Sequence, residues 1–217
     1  MKIAIIGASG FVGKALTAEA LNRGHEVTAI ARNPEKIDVD HPSLHKAGLD
    51  ILDVAKAADT FAGHEVVLSA FNPGWSNPNI YDDFLAGAKS IQQATKQSGV
   101  KRLIVIGGGG SLYVAEGLQA VDTEHFPAEF KSGALAARDY LNIIKEEKDL
   151  DWVFFSPAFE MHPGITDGRT GNYRLGKDQP VFDDNQRSRL SVEDLAVVIL
   201  DEIEKQNHHQ ERFTAAY

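Results

Sequence analysis

The strongest constraint on this chain lies at its start. The apolar run Lys2-Ile3-Ala4-Ile5-Ile6 leads straight into Gly7-Ala8-Ser9-Gly10-Phe11-Val12-Gly13, and Val12, Leu16 and Ala20 then recur at helical spacing. Few folds take a buried strand through three glycines directly into an amphipathic helix. Gly7 permits the tight turn, Gly10 lets the backbone approach a pyrophosphate, and Gly13 lets the helix pack closely. The helix N-terminus adds free N–H groups and a partial positive charge. Ser9, Phe11 and Val12 complete the turn as candidate dinucleotide contacts. The alternative is a purely structural strand-to-helix turn.

The same alternation continues along the chain. Segments 2–6, 26–31, 44–48, 65–70, 101–107 and 151–156 are short and rich in Ile, Val, Leu and Phe. They are predicted strands buried on both faces, which are usually parallel. Phe84, Ala88, Ile91 and Thr95 mark a helix over 80–98, and Ala134, Ala137, Leu141 and Ile144 one over 130–147. Leu195, Ile199 and Ile203 mark the last helix, behind Ser191 as its N-cap. Gly24 and Gly99 read as helix ends. The expected fold is α/β: a Rossmann-type doubly wound parallel sheet with helices on both faces, in one domain over residues 1–217. The irregular stretches 71–79, 108–129 and 157–190 follow the fourth, fifth and sixth strands. Open α/β sheets bind ligands beyond such carboxyl ends, so these are the expected substrate loops.

Composition narrows the partners. Lys and Arg total 22 against 31 Asp and Glu, a formal net charge of -9. That balance disfavours nucleic acid and anionic membranes but leaves room for a local basic pocket. Without cysteine there is no thiol nucleophile, disulfide or Cys-built zinc site. His208-His209 lie in a polar tail past the last helix, and no histidine spacing suggests a metal. No apolar run approaches the ~20 residues of a membrane span. The opening run stops at Gly7, too short for a signal-peptide core, so a cytoplasmic protein is expected. The oligomeric state is not legible.

Cofactor choice turns on the end of the second strand. NAD-binding folds place Asp or Glu there for the ribose 2′-hydroxyl. Here Glu26-Val27-Thr28-Ala29-Ile30-Ala31 runs into Arg32-Asn33-Pro34. Arg32 suits a 2′-phosphate through a charge-assisted fork, with Ser9 and Asn33 as neutral helpers. NADP(H) is expected over NAD(H); a solvated Arg32 is the alternative. Asp50 is a candidate partner for the adenine amino group and Ile51 for the ring, against a reading in which Asp53 caps a helix and Asp50 is surface. Ser69, Ala70 and Phe71 end the fourth strand, where small residues let a cofactor cross the sheet edge.

Beyond these residues the chain resembles the atypical short-chain dehydrogenase/reductase proteins, in their NAD(P)H-binding, NmrA-like branch. Within it the likeness is to bacterial NADH-flavin reductases and biliverdin/flavin reductases. The carriers are the turn itself, Ala31-Arg32-Asn33-Pro34, and Val105-Ile106-Gly107-Gly108-Gly109-Gly110-Ser111-Leu112. Further on they are Leu150-Asp151-Trp152-Val153-Phe154-Phe155-Ser156-Pro157-Ala158, Gly171-Asn172-Tyr173-Arg174-Leu175-Gly176 and Ser188-Arg189-Leu190-Ser191-Val192-Glu193-Asp194-Leu195-Ala196. The resemblance implies an NAD(P)H-dependent oxidoreductase acting on a flavin-like or quinone-like planar substrate, with FMN or FAD as candidates. Similar folds also include dinucleotide sensors that catalyse nothing.

One departure has chemical content. Typical short-chain dehydrogenases carry a Tyr-x-x-x-Lys pair, a general acid/base and the lysine that lowers its pKa, on the helix after the fifth strand. The corresponding positions here are Phe130 and Ala134. A literal match, Tyr173 with Lys177, falls in an expected loop, and Tyr140 with Lys145 has the wrong spacing. Hydride transfer to a flat ring leans on positioning more than on a proton at oxygen. Phe71, Trp75, Tyr113, Phe159 and Tyr173 are candidate stacking surfaces, with some expected to be core. Gly107 and the glycines after it are expected to leave room at the nicotinamide end. Ser111 is a candidate donor to a substrate carbonyl or a turn serine. Ser156, Pro157 and Ala158 are candidates to hold the carboxamide by backbone groups. His162 is a proton-donor candidate or a surface histidine, and Arg174 a candidate anchor for a substrate phosphate. A non-catalytic NADP(H) sensor and a sugar-nucleotide epimerase or dehydratase remain as alternatives.

Overall fold

A computed structural model describes all 217 residues. The first βαβ unit follows the predicted pattern: β1 (Lys2–Ile6), α1 (Phe11–Asn22), β2 (Glu26–Ala31), β3 (Leu44–Gly48), α2 (Val54–Phe61) and β4 (Val66–Ser69). The second part comprises α3 (Ile80–Ser98), β5 (Arg102–Ile106), the hairpin β6 (Tyr113–Ala115) and β7 (Leu118–Gln119), α4 (Ala128–Ile144) and β8 (Asp151–Pro157). It closes with β9 (Arg174–Gly176), α5 (Val192–Lys205) and β10 (Glu211–Ala216). The main sheet has the order β3-β2-β1-β4-β5-β8-β10-β9. All pairings are parallel except that of β9 on β10. The chain steps outward from β1 to β3, then returns to lay β4 on the other side. That reversal leaves a crevice beyond the carboxyl ends of β1 and β4.

Two apolar layers sandwich the sheet. Ile3, Ile5, Leu16, Leu195, Ile199 and Phe213 pack with α1 and α5 on one face. Phe61, Phe84, Ile91, Tyr140, Leu141 and Trp152 pack with α2, α3 and α4 on the other. Fully burying such side chains contributes about 1.5–3 kcal/mol each. Ser191 caps α5 by accepting the Asp194 N–H at 3.0 Å, and Gly99 ends α3 at φ +81°, both as predicted.

Residues 54–61 form α2, opened by Asp53, whose carboxylate accepts from the Lys56 N–H at 3.1 Å, as the helix-cap reading of Asp53 expects. Two elements depart from the sequence reading. The expected polar tail becomes β10, a central strand parallel to β8. Its sequence opens on two adjacent charges, Glu211 and Arg212, and ends on two alanines, which hides a buried strand. Burial is possible because Arg212 finds Asp178 and, at 2.7 Å, the Ser111 carbonyl. Residues 174–176, expected in a loop, then add β9 to its open edge. At the opposite, amino-terminal edge, buried Arg102 ties β5 to Asp151 at 2.7 Å and to Glu202 of α5 at 2.5 Å.

Candidate functional site

The turn after β1 is shaped by what its glycines lack. Gly7 lies at φ +79°, and a Cβ there would fall 2.5 Å from the Ala70 carbonyl oxygen. At Gly13 a Cβ would sit 2.1 Å from the Gly7 oxygen. Gly10 differs: its backbone is extended, at φ -81°, and a Cβ would meet only the Gly7 oxygen, at 3.2 Å. A side chain at position 10 therefore needs only a small shift of the Gly7 carbonyl, unlike one at Gly7 or Gly13. The Gly10 N–H donates to Gly7, and the first helical bond runs from Lys14 to Gly10, both at 2.9 Å. The N–H groups of Phe11, Val12 and Gly13 have no backbone acceptor, no side chain caps the helix, and its first turn has no acid. Such an end favours an anion. Ser9 is half-buried beside it and the Phe11 ring is exposed.

Arg32 stands at the end of β2, exposed, with no hydrogen bond or ion pair. Every other arginine has a carboxylate or carbonyl partner. Asp50 accepts from the Leu52 N–H at 3.0 Å. Ile51 points inward, 6% exposed, so it is a core residue and not a ring platform. The apolar surface offered at that corner is Leu52, 58% exposed. Ser69 is buried, and Ala70 supplies the carbonyl beneath Gly7. Phe71 turns away from the crevice. Its ring lies against Phe84, with centroids 6.3 Å apart, and fills the place of a side chain at Gly87.

The glycine run after β5 also departs from expectation. A Cβ at Gly107 would lie 1.9 Å from the Phe154 ring, and one at Gly109 would lie 2.6 Å from the Pro157 carbonyl oxygen. At Gly110 it would meet Ala134, Phe126 and Val121. Gly107 and its neighbours make room for the protein's own packing. Ser111 is fully buried. Its hydroxyl donates to the Gly108 carbonyl at 2.8 Å and lies 3.0 Å from Ser156 Oγ. It is an internal brace, not a substrate donor. Ser156, Pro157 and Ala158 are buried at the end of β8. The N–H groups of Gly108 and Gly109 have no acceptor and lie half-buried at this edge.

Around that edge stand two exposed aromatic pairs. Trp75 and Phe130 meet edge-to-face, 5.3 Å between centroids, with Trp75 55% exposed and seated over Gly133. Phe159 and Phe182 form a second such pair at 6.2 Å, with Phe159 against Gly109. Phe130 and Phe182 were not singled out as stacking surfaces from sequence. The first sits at the position of the catalytic tyrosine of typical short-chain dehydrogenases, and the second is one apolar residue in a polar loop. Tyr113 has one ring face taken by the Arg212 guanidinium, 5.5 Å from its centroid.

Tyr173 and Arg174 leave the site altogether. Tyr173 packs on the α1/α5 face, and its hydroxyl donates to Asp201 of α5 at 2.7 Å. Ser111 lies across the sheet, in the turn packed on α4, so the two do not share a pocket. Burial and the Asp201 carboxylate push the Tyr173 phenol well above its usual range, and its proton is already committed to Asp201. Lys177 pairs instead with Glu211 at 2.6 Å. Arg174 donates to the carbonyls of Phe182 and Tyr217 and anchors β9. Tyr140 is buried and donates to Gln92 at 3.3 Å. His162 accepts the Gly164 N–H at 3.1 Å in an exposed turn. No group of three or more His, Asp or Glu could hold a metal, and no helix is long and apolar enough to cross a membrane.

Known proteins share this architecture. A candidate epimerase from Bacteroides thetaiotaomicron superposes with a TM-score of 0.92 at 46% identity, covering 100% of this chain and 96% of that one. A candidate NADH-flavin reductase from Streptococcus pneumoniae gives 0.85 at 36% identity, covering 100% and 99%. The uncharacterized Bacillus subtilis protein YwnB is 36% identical over 99% of this chain and 97% of its own length. The model of the NAD(P)H-binding family matches residues 7–203, from the first glycine of the turn to the end of the core of α5. With the unpaired N–H groups at α1 and the strand order around them, this match makes the chain a member of the NAD(P)H-binding family of Rossmann proteins.

Proposed function

We propose that the chain is an NADPH-dependent reductase of a flat, flavin-like or quinone-like acceptor. The observation that carries this reading is the edge beyond β5 and β8. Aromatic rings are exposed there, and the acid/base positions hold Phe130 and Ala134. When bound, reduced nicotinamide supplies a hydride. The chain's part is to bind and orient. The α1 N-terminus takes the pyrophosphate, and Arg32 takes the 2′-phosphate in a charge-assisted contact. Trp75, Phe130, Phe159 and Phe182 offer apolar surface for a planar ring and exclude water. The N–H groups of Gly108 and Gly109 suit an acceptor oxygen. The reduced ring collects its proton from solvent, so no side-chain acid is required.

Epimerisation or dehydration of a sugar nucleotide needs proton transfer at carbon or oxygen, for which positions 130 and 134 offer nothing. A sensor that binds NADP(H) without turnover is the second reading, favoured by the same lack of an acid. Anaerobic mixing with NADPH and FMN, and separately with a soluble quinone, decides between them. Loss of NADPH absorbance supports the reductase. Binding by calorimetry without any oxidation supports the sensor.

A further inference from the structure

Ser188 differs from the chain's other buried hydroxyls. It is 2% exposed, and its Oγ has no hydrogen-bond partner. Only Arg102 Nε shares that condition, and the nitrogens at the tip of that guanidinium are already held by Asp151 and Glu202. Ser188 is positioned by a short parallel pairing beyond β8. The Glu160 N–H donates to the Ser188 carbonyl at 2.8 Å, and the Leu190 N–H to the Glu160 carbonyl at 3.1 Å, with Glu160 opposite Arg189. Glu160, Arg187 and Arg189 are taken up in ion pairs. Phe159, next to Glu160, lies against Gly109, and Leu190, two residues on from Ser188, is fully buried in the α1/α5 core. The bridge therefore holds Ser188 just beyond the carboxyl end of β8, beside the β5–β8 edge.

A dinucleotide crosses the carboxyl ends of an open sheet, one half over each mononucleotide unit. Gly10 and Arg32 assign the adenosine half to β1 and β2, which leaves the β5–β8 edge to the nicotinamide. We propose that Ser188 Oγ is the side-chain hydrogen-bond partner of the nicotinamide carboxamide, an inference that rests on the cofactor reading above. A hydroxyl both donates and accepts, so it matches either end of an amide.

The test compares wild type with Ser188→Ala. Each is titrated calorimetrically with NADPH and with adenosine 2′,5′-bisphosphate, which carries the adenosine half alone, and each is melted without ligand. Removing an unpaired buried hydroxyl leaves the ligand-free melting temperature unchanged or raised. NADPH binds the variant about tenfold more weakly, and the bisphosphate binds both proteins equally. Unchanged NADPH affinity overturns the proposal, as does an equal loss for both ligands or a lower melting temperature of the ligand-free variant. A wild type that binds neither ligand overturns the cofactor reading itself, and the proposal with it. A wild type that binds both, with a variant that behaves identically, overturns the assignment of Ser188 alone.

Discussion

Two glycine-rich turns follow two strands of one sheet, and their missing side chains serve opposite ends. After β1, a Cβ at Gly10 would meet only the Gly7 carbonyl oxygen, at 3.2 Å, and three helix N–H groups lie unpaired behind it. After β5, the space beside Gly107 is filled by the Phe154 ring, and that beside Gly110 by Ala134, Phe126 and Val121. The first turn keeps a place for a ligand, while the second lets a 3₁₀ turn settle between α4 and β8. Glycine spacing alone does not distinguish the two uses.

The contrast breaks most sharply at Gly107. Gly107→Ala puts a methyl group into a ring with no room to retreat, because Phe154 is fully buried. The expected loss is about 3 kcal/mol, or about 10 °C in melting temperature at this chain length, read by thermal denaturation. Gly10→Val is the mirror case. Stability changes by about 1 kcal/mol, while NADPH affinity falls about 100-fold or more, by about 2.7 kcal/mol, in a calorimetric titration. A Gly10→Val protein that binds normally would make both turns structural.

Arg32 sharpens the first turn's side of the comparison. Arg32→Asp removes the one guanidinium with no internal partner and adds a charge that repels a phosphate. NADPH binding should weaken by about 1.5–3 kcal/mol, and the order of NADPH over NADH should reverse. Equal wild-type affinity for the two cofactors would sink the NADP assignment.

The smallest effect is expected at Tyr173, on the far side of the sheet. Burial alone would raise the pKa of Asp201, but Lys205, Tyr173 and Arg23 outweigh it and hold it at about 2. A carboxylate depressed in this way stabilises the folded state fully above the ordinary carboxylate range, and the contribution is lost as pH falls from about 4 toward 2. Tyr173→Phe removes one of the three partners. The variant should be about 1 kcal/mol less stable at neutral pH, lose less on acidification, and keep wild-type turnover. Full stability with lost turnover would return Tyr173 to the chemistry.

The first half of the molecule was readable because its signals are local. β1, the turn, α1 and β2 each announce themselves through neighbours in sequence, down to the Arg32 that ends the second strand. The second half depends on partners far away. Arg212 reads as surface until Asp178 and the Ser111 carbonyl take it into the sheet. Tyr173 and Arg174 read as a substrate segment because aromatic and basic residues in a loop suit a ligand. Their contacts, Asp201 on α5 and the carbonyls of Phe182 and Tyr217, come from elsewhere in the chain. Ser191 is legible as a helix start. The task of Asp194 is not: it holds the 168–171 stretch, through Thr170 Oγ1 at 2.6 Å and the Gly171 N–H at 2.7 Å.

The order of the last two strands has a consequence for synthesis. β9 precedes β10 in the chain but lies outside it in the sheet. A ribosome adding roughly 5–20 residues per second therefore delivers β9 seconds before the strand it pairs with. During that interval the 157–190 stretch lacks the strand that braces it, and Arg212 has not yet arrived to clasp Ser111. Slow codons between α5 and β10 would lengthen that interval, and with it the exposure of Phe159, Phe182 and the unfinished sheet edge to chaperones and proteases.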